Sequence, residues 1–233
     1  MNLKTDKAVL TVALTTFLTF LLVFLLPIRS LRIRAIWLLY PNLLLAIGWF
    51  GYHIRTCINI AENKSEDLLW QSVLFGFTAT ATYLPMDWLF SKKVRFIIYR
   101  SSDFFGNIMT PIGLILTWVL FVTFAIYCYH RLQMFGLHRF VASGIVGITA
   151  AIGSVFIYGL GKELWEWNAL HVDHIPNIGS VPIFMPITFL LTFILCPYYY
   201  HRTQPALIAG VRCGLFMGIA MFLSFFLFWR SSL

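Results

Sequence analysis

The chain has 233 residues, is 60% hydrophobic and only 11% charged, and has a mean hydropathy of +0.82. A soluble globular domain is about half apolar and about one quarter charged, so this composition excludes an ordinary soluble enzyme or binding module and belongs to a polytopic membrane protein. The formal net charge of +8 is no nucleic-acid signal, because the basic residues sit in short loops between apolar spans and no soluble face gathers them into a patch.

Seven apolar spans follow one another, each near the ~20 residues that cross a bilayer as helix. The first, Ala8 to Leu26, resembles a signal-peptide core but is long for one. Pro27-Ile28-Arg29 offers no small-residue cleavage site, so the span reads as a retained helix. The second covers Ala35 to Gly51 with Pro41 early in it, the third Leu68 to Phe90, the fourth Ile108 to Tyr129, and the fifth Phe140 to Leu160. The sixth, Val181 to Tyr200, is broken by Pro182, Pro186 and Pro197, and the seventh runs from Ala206 to Phe228. The expected architecture is all-α, a bundle of about seven transmembrane helices in one domain covering 1–233. Gly210, Gly214 and Gly218 are spaced by four, as are Ser143, Gly147 and Ala151. Small residues at that spacing let helix backbones approach closely, here within one chain rather than at a dimer seam. The sequence leaves the oligomeric state open.

Seven crossings put the termini on opposite faces. One face then receives Arg29, Arg32, Arg34, Lys92, Lys93, Arg95, Arg100, Lys162 and Arg230, and the other Lys4, Lys7, Arg55, Lys64, Arg131, Arg139 and Arg202. By the positive-inside rule the richer face is cytoplasmic, which gives a cell-membrane protein with its N-terminus outside and its C-terminus inside. Cys57, Cys128, Cys196 and Cys213 are far apart in sequence and form no CxxC pair, so neither a zinc site nor a disulfide framework is expected.

The chain is organised around Gly161 to Pro186, which interrupts the apolar pattern. This stretch holds Glu163, Glu166 and Asp173, three of the nine acidic residues, with His171, His174, Trp165 and Trp167. Read as helix, Glu163 and Glu166 share one face, with Trp167 one position further round. The third and fifth spans run the same way, so Asp87, one turn inside the end of the third, emerges on the face that carries this stretch. The expected catalytic cluster is Asp87, Glu163 and Glu166. The expected substrate contacts are Trp88, Trp165, Trp167, Asn168, His171, Asp173 and His174. An acid in a membrane helix marks a functional site or a structural pair. For Asp87, burial favours the protonated form that suits a general acid. The competing assignment is a helix-end carboxylate paired with Lys92 or Lys93. For the two glutamates it is an interfacial belt of tryptophan and charge. His, Asp and Glu are metal-binding types, but neither HExxH nor Glu-x-x-His is present, so no metal site is assigned. No cofactor motif occurs.

Trp165-Glu166-Trp167-Asn168, then Ile178-Gly179-Ser180-Val181-Pro182 and a Phe-rich helix, resemble a pattern in membrane carotenoid-modifying proteins, the integral-membrane lycopene cyclases and carotenoid hydratases. Tyr83-Leu84-Pro85-Met86-Asp87 is similar to the Pro-x-Glu-Glu stretch of the cyclases. After Pro182, however, stand Ile183 and Phe184, where the cyclase pattern has paired glutamates. The resemblance implies a lipophilic isoprenoid substrate and acid-initiated chemistry. The partners expected are therefore the lipid bilayer and a lipophilic small molecule, not nucleic acid. Two other classes fit the same residues: a small-solute or proton-coupled transporter, with the acids on an ion path at a broken helix, and a non-catalytic membrane subunit.

Overall fold

A computed structural model of the chain describes residues 3–25, 29–60, 68–99, 112–160, 165–200 and 205–231. Its long helices are α1 (Leu3–Leu25), α2 (Arg29–Ile60), α3 (Leu68–Trp88), α4 (Ile112–Met134), α5 (Arg139–Leu160), α7 (Phe184–Ile194) and α9 (Ala206–Ser231). Two helices of one turn, α6 (Ala169–Val172) and α8 (Cys196–Tyr199), lie between them. Four short strands complete the described residues: β1 (Ile97–Tyr99), β2 (Trp165–Trp167), β3 (Asn177–Ile178) and β4 (Val181–Pro182). The fold is thus the expected all-α bundle with seven long helices. Thr5–Leu22, Ile112–Met134, Arg139–Gly159 and Ala206–Trp229 are long and apolar enough to cross a membrane. Helix is the form these runs must take in lipid, because it satisfies every backbone polar group internally. The chain is a multi-pass membrane protein.

Five helices close into a ring. α9 packs on α3, α3 on α4, α4 on α5, α5 on α7, and α7 returns to α9. α1 and α2 pack on each other outside the ring, α2 leaning on α4 and α1 on α5. Phe75, Tyr83, Trp118, Phe189 and Phe193 are fully buried in the ring. Burial among lipid-like neighbours stabilises through close packing rather than through transfer out of water. Several buried threonine hydroxyls close locally: Thr117, Thr123, Thr188 and Thr192 each donate to the carbonyl one turn back at 2.7 Å.

The small-residue stripes are packing seams within the chain. A Cβ at Gly210 would stand 2.8 Å from the Phe75 carbonyl oxygen, one at Gly214 2.8 Å from Thr82 Cβ, and one at Gly218 2.7 Å from Met86 Cγ. The whole stripe of α9 therefore lies against α3, with Gly210 and Gly214 on its backbone and Gly218 on the Met86 side chain. Gly147 does the same for α5 on α7, where a Cβ would meet the Leu190 carbonyl at 3.1 Å.

Two elements depart from the sequence pattern. The sixth span is not one helix over 181–200: β4 and a turn open it, α7 has 11 residues, and Leu195 breaks it before Pro197 opens α8. Proline inside an apolar run removes a backbone donor and shortens the helix it interrupts. At the end of α3, Pro85 is kept inside the helix. The chain continues as a wide π-helical turn, Leu89–Val94, and reverses at Arg95, whose φ of 59° is left-handed. That reversal delivers β1 back across the end of the bundle. β1 pairs antiparallel with β2, and β3 with β4, so the segment from Trp165 to Pro182 caps the ring.

Candidate functional site

The site is built around Asp87. Thr80, Tyr83 and Asp87, at i, i+3 and i+7, share one face of α3, and that face points into the ring. All three are buried, with Asp87 only 3% exposed. The returning strand supplies its partner: the Tyr99 hydroxyl donates to Asp87 Oδ1 at 2.8 Å. Tyr99 stands opposite Trp165 in the β1–β2 ladder, with Ile98 opposite Glu166 and Ile97 opposite Trp167. A further backbone bond, Asn168 N–H to the Phe96 carbonyl at 2.9 Å, extends this pairing. Burial pushes the Tyr99 hydroxyl well above the ordinary tyrosine range, and the neighbouring Asp87 adds to the shift.

Aromatic rings surround the acid. Tyr83 meets Trp118 edge-on at 5.1 Å. Tyr158, near the end of α5 and within electrostatic reach of Asp87, contacts Trp165 at 5.4 Å, Trp167 at 5.8 Å and Phe189 at 6.3 Å. Phe184, at the start of α7, meets Trp167 at 6.0 Å. Thr80 Oγ1 and Trp165 Nε1 are buried without a hydrogen-bond partner. The Trp118 indole N–H lies beside the Tyr158 hydroxyl but outside good hydrogen-bond geometry. Buried donors are ordinarily satisfied, so Thr80, Trp118 and Trp165 in one packed interior make it unusual.

The expected site residues separate. Trp165 and Trp167 turn inward to Tyr158. Residues 165–167 are strand, not the helix expected, and alternation along a strand puts Glu166 on the face opposite the two tryptophans. The shared helical side of Glu163 and Glu166 is corrected accordingly. Tryptophans flanking one residue suit a strand, and the ladder with Ile97–Tyr99 secures it. Glu163 lies outside the described residues. Trp88 is half-buried and carries the Lys93 ammonium 6.0 Å above its ring. Asn168 caps α6, its side chain accepting from the Leu170 N–H at 3.2 Å. His171 is half-buried on α6, whereas Asp173 and His174 are exposed on the outer side of the cap. Among the described residues no three His, Cys, Asp or Glu side chains gather as metal ligands.

Sequence reasoning missed Tyr83, Tyr99, Tyr158 and Trp118. Tyr83 was within reach, because it stands one turn before Asp87 on the same face. Tyr99 was not, since its role depends on a left-handed turn at an arginine.

Comparison with protein-family models, with curated proteins and with solved structures finds no match in any of the three. The chemistry is therefore argued from the site alone.

Proposed function

We propose that the protein is a membrane enzyme acting on a lipophilic, isoprenoid or carotenoid-like substrate, with Asp87 as the proton donor. The observation that carries this reading is a carboxyl buried in a ring-lined interior that accepts a hydrogen bond from the Tyr99 hydroxyl. In its protonated form the Asp87 carboxyl accepts from Tyr99 at Oδ1 and carries a transferable proton. Transfer of that proton to a terminal C=C bond of a polyene forms a new C–H bond and leaves a carbocation on the neighbouring carbon. Aromatic faces stabilise cations through their quadrupoles, a role that suits Tyr83, Tyr158 and Trp165. Loss of a proton from an adjacent carbon back to the Asp87 carboxylate completes a mass-neutral isomerisation. If another C=C bond of the polyene first attacks the cation, forming a C–C bond and moving the charge, the same proton loss completes a cyclisation. Addition of water, with its proton returned to Asp87, completes a hydration. The absence of paired glutamates after Pro182 weighs against the cyclase form of this chemistry.

The test is expression in a host that accumulates acyclic carotenoids, with lipid extracts resolved by chromatography and mass spectrometry. A new mass-neutral or water-added product that disappears in Asp87→Asn supports the proposal. Unchanged extracts from well-expressed protein overturn it.

A second reading is favoured by one observation, the short α7 between the β3–β4 turn and α8. Discontinuous helices of this kind form ion sites in transporters. Proton flux into protein-containing vesicles that is lost in Asp87→Asn would select that reading.

A further inference from the structure

A groove of about 810 Å³ runs between α1, α4 and α5, outside the ring and apart from Asp87. Its walls are apolar, with Ala13 and Phe20 on α1, Leu120 and Phe124 on α4, and Val146 and Gly153 on α5. It exists because α1 packs chiefly on α2, which leaves its other side facing α4 and α5 across a gap. The gap is bridged at one end by Asp6, which pairs with Arg131 Nη2 and accepts from the Tyr127 hydroxyl at 2.6 Å. At the other end Phe17 meets Phe156 edge-on at 6.5 Å.

The groove is polar at one mouth only. Asp6 to Phe20 spans about 21 Å of helix. One leaflet is about half of the ~30 Å hydrocarbon core, so an acyl chain entering at the polar mouth fits within the apolar length. The volume also lies in the range of lipophilic ligand sites, roughly 300–1,000 Å³. Among the described residues, Arg131 and Asp6 line this mouth, and Lys7 and Arg139, which are exposed at the same end, add positive charge beside it. Arg131 uses Nη2 on Asp6 and Nη1 in a long contact to Met134 Sδ at 3.6 Å. A guanidinium offers five donors in a planar fork, so others remain for a phosphate.

We infer that this groove binds one anionic phospholipid of the bilayer, with an acyl chain between α1, α4 and α5 and its phosphate at Arg131. The site is independent of the chemistry proposed at Asp87. The aliphatic chain supplies shape fit to the groove and the phosphate supplies selectivity, because charge-assisted hydrogen bonds to arginine are the strong ones.

Native mass spectrometry of the purified full chain tests it, with phosphatidylglycerol and phosphatidylcholine of equal chain length added in turn. Wild-type protein should hold one phosphatidylglycerol roughly tenfold tighter than phosphatidylcholine. Asp6→Asn combined with Arg131→Gln removes the ion pair at constant net charge, and should level the two lipids while keeping binding. Ala13→Trp should fill the groove and abolish retention of both. Thr149→Trp blocks it from the α5 wall and serves where Ala13→Trp fails to fold, as judged by gel filtration and thermal melting. Equal affinity for the two lipids in wild type, or retention undiminished in a folded tryptophan variant, overturns the inference. So does a wild-type dimer that Ala13→Trp converts to monomer, which would assign the groove to a helix of a second chain.

Discussion

The hydroxyl of Tyr99 donates to Oδ1 of Asp87 across 2.8 Å, tying the strand that caps the bundle to the end of α3. Twelve positions separate the two in sequence, and the intervening chain turns through a π-helical stretch and a left-handed arginine to bring them together. Removing one partner of this part-buried hydrogen bond costs about 0.5–1.5 kcal/mol. Tyr99→Phe should therefore destabilise the detergent-solubilised protein by that amount in thermal or denaturant unfolding. Asp87→Asn keeps an acceptor oxygen for Tyr99 and should cost less. If Asp87 is the acid, the same change should lower the rate of the reaction about 10²–10⁴-fold. Equal stability losses in the two variants would show that charge, not the hydrogen bond, joins the elements.

The same pair predicts an alkaline limb in stability. Burial holds the folded Tyr99 well above its ordinary value, and Asp87 in its ionised form, as at alkaline pH, raises it further, whereas the unfolded tyrosine titrates near ~10. Below that pH both states are neutral and the stabilisation is complete. Above it the unfolded chain loses a proton that the folded chain keeps, so stability falls as pH rises toward the folded value. Tyr99→Phe should flatten this limb relative to wild type, followed by unfolding together with tyrosinate absorption. A limb of unchanged slope would place the titration on other residues.

The class of the fold was legible because twenty-residue apolar spans have few other uses, and the glycine stripe of α9 was legible as a seam because spacing by four places small residues on one helical face. The site was legible in part. Asp87 stood out as an acid inside an apolar run, and Trp165 and Trp167 as rings beside it. The geometry joining them was hidden, because it rests on a strand pairing between segments nearly seventy residues apart. Periodicity over so short a run as Trp165–Trp167 does not separate strand from helix, and it misplaced Glu166. Nothing local announced Tyr99 or Trp118, which owe their place to the closure of the ring.

Glycine substitutions should divide by seam. A Cβ at Gly214 collides with the Ala79 carbonyl, which is helix backbone and cannot yield as a side-chain tip would. Gly214→Ala should destabilise by about 1–3 kcal/mol through overpacking of α9 on α3. A Cβ at Gly144 meets nothing within 4 Å, so Gly144→Ala should be neutral or stabilise by about 0.5–1 kcal/mol through helix preference. Unfolding of the two single variants in one detergent makes the comparison. Matched effects would remove the close approach of α9 to α3 as a determinant of stability.

The two polar ends of the bundle should lie on opposite sides of the membrane. α5 runs from Arg139, beside the end of α4, to Leu160, next to the cap, and its 22 residues span about 33 Å. That length matches the ~30 Å hydrocarbon core. Lys7 and Met134 are exposed at the end where Asp6 pairs with Arg131, and His174 and Asn177 are exposed on the cap. Single cysteines at these four positions can be tested with a membrane-impermeant thiol reagent. The background replaces Cys57 and Cys128 with serine and keeps the buried Cys196 and Cys213. Lys7→Cys and Met134→Cys should react from one side, and His174→Cys and Asn177→Cys from the other. The cap side is expected to be cytoplasmic, since it carries Lys92 and Lys93 on the π-helical turn and Arg95 at the reversal after it. Reaction of all four from the same side would mean that α5 does not cross, and would place the cap and the ion pair in one leaflet.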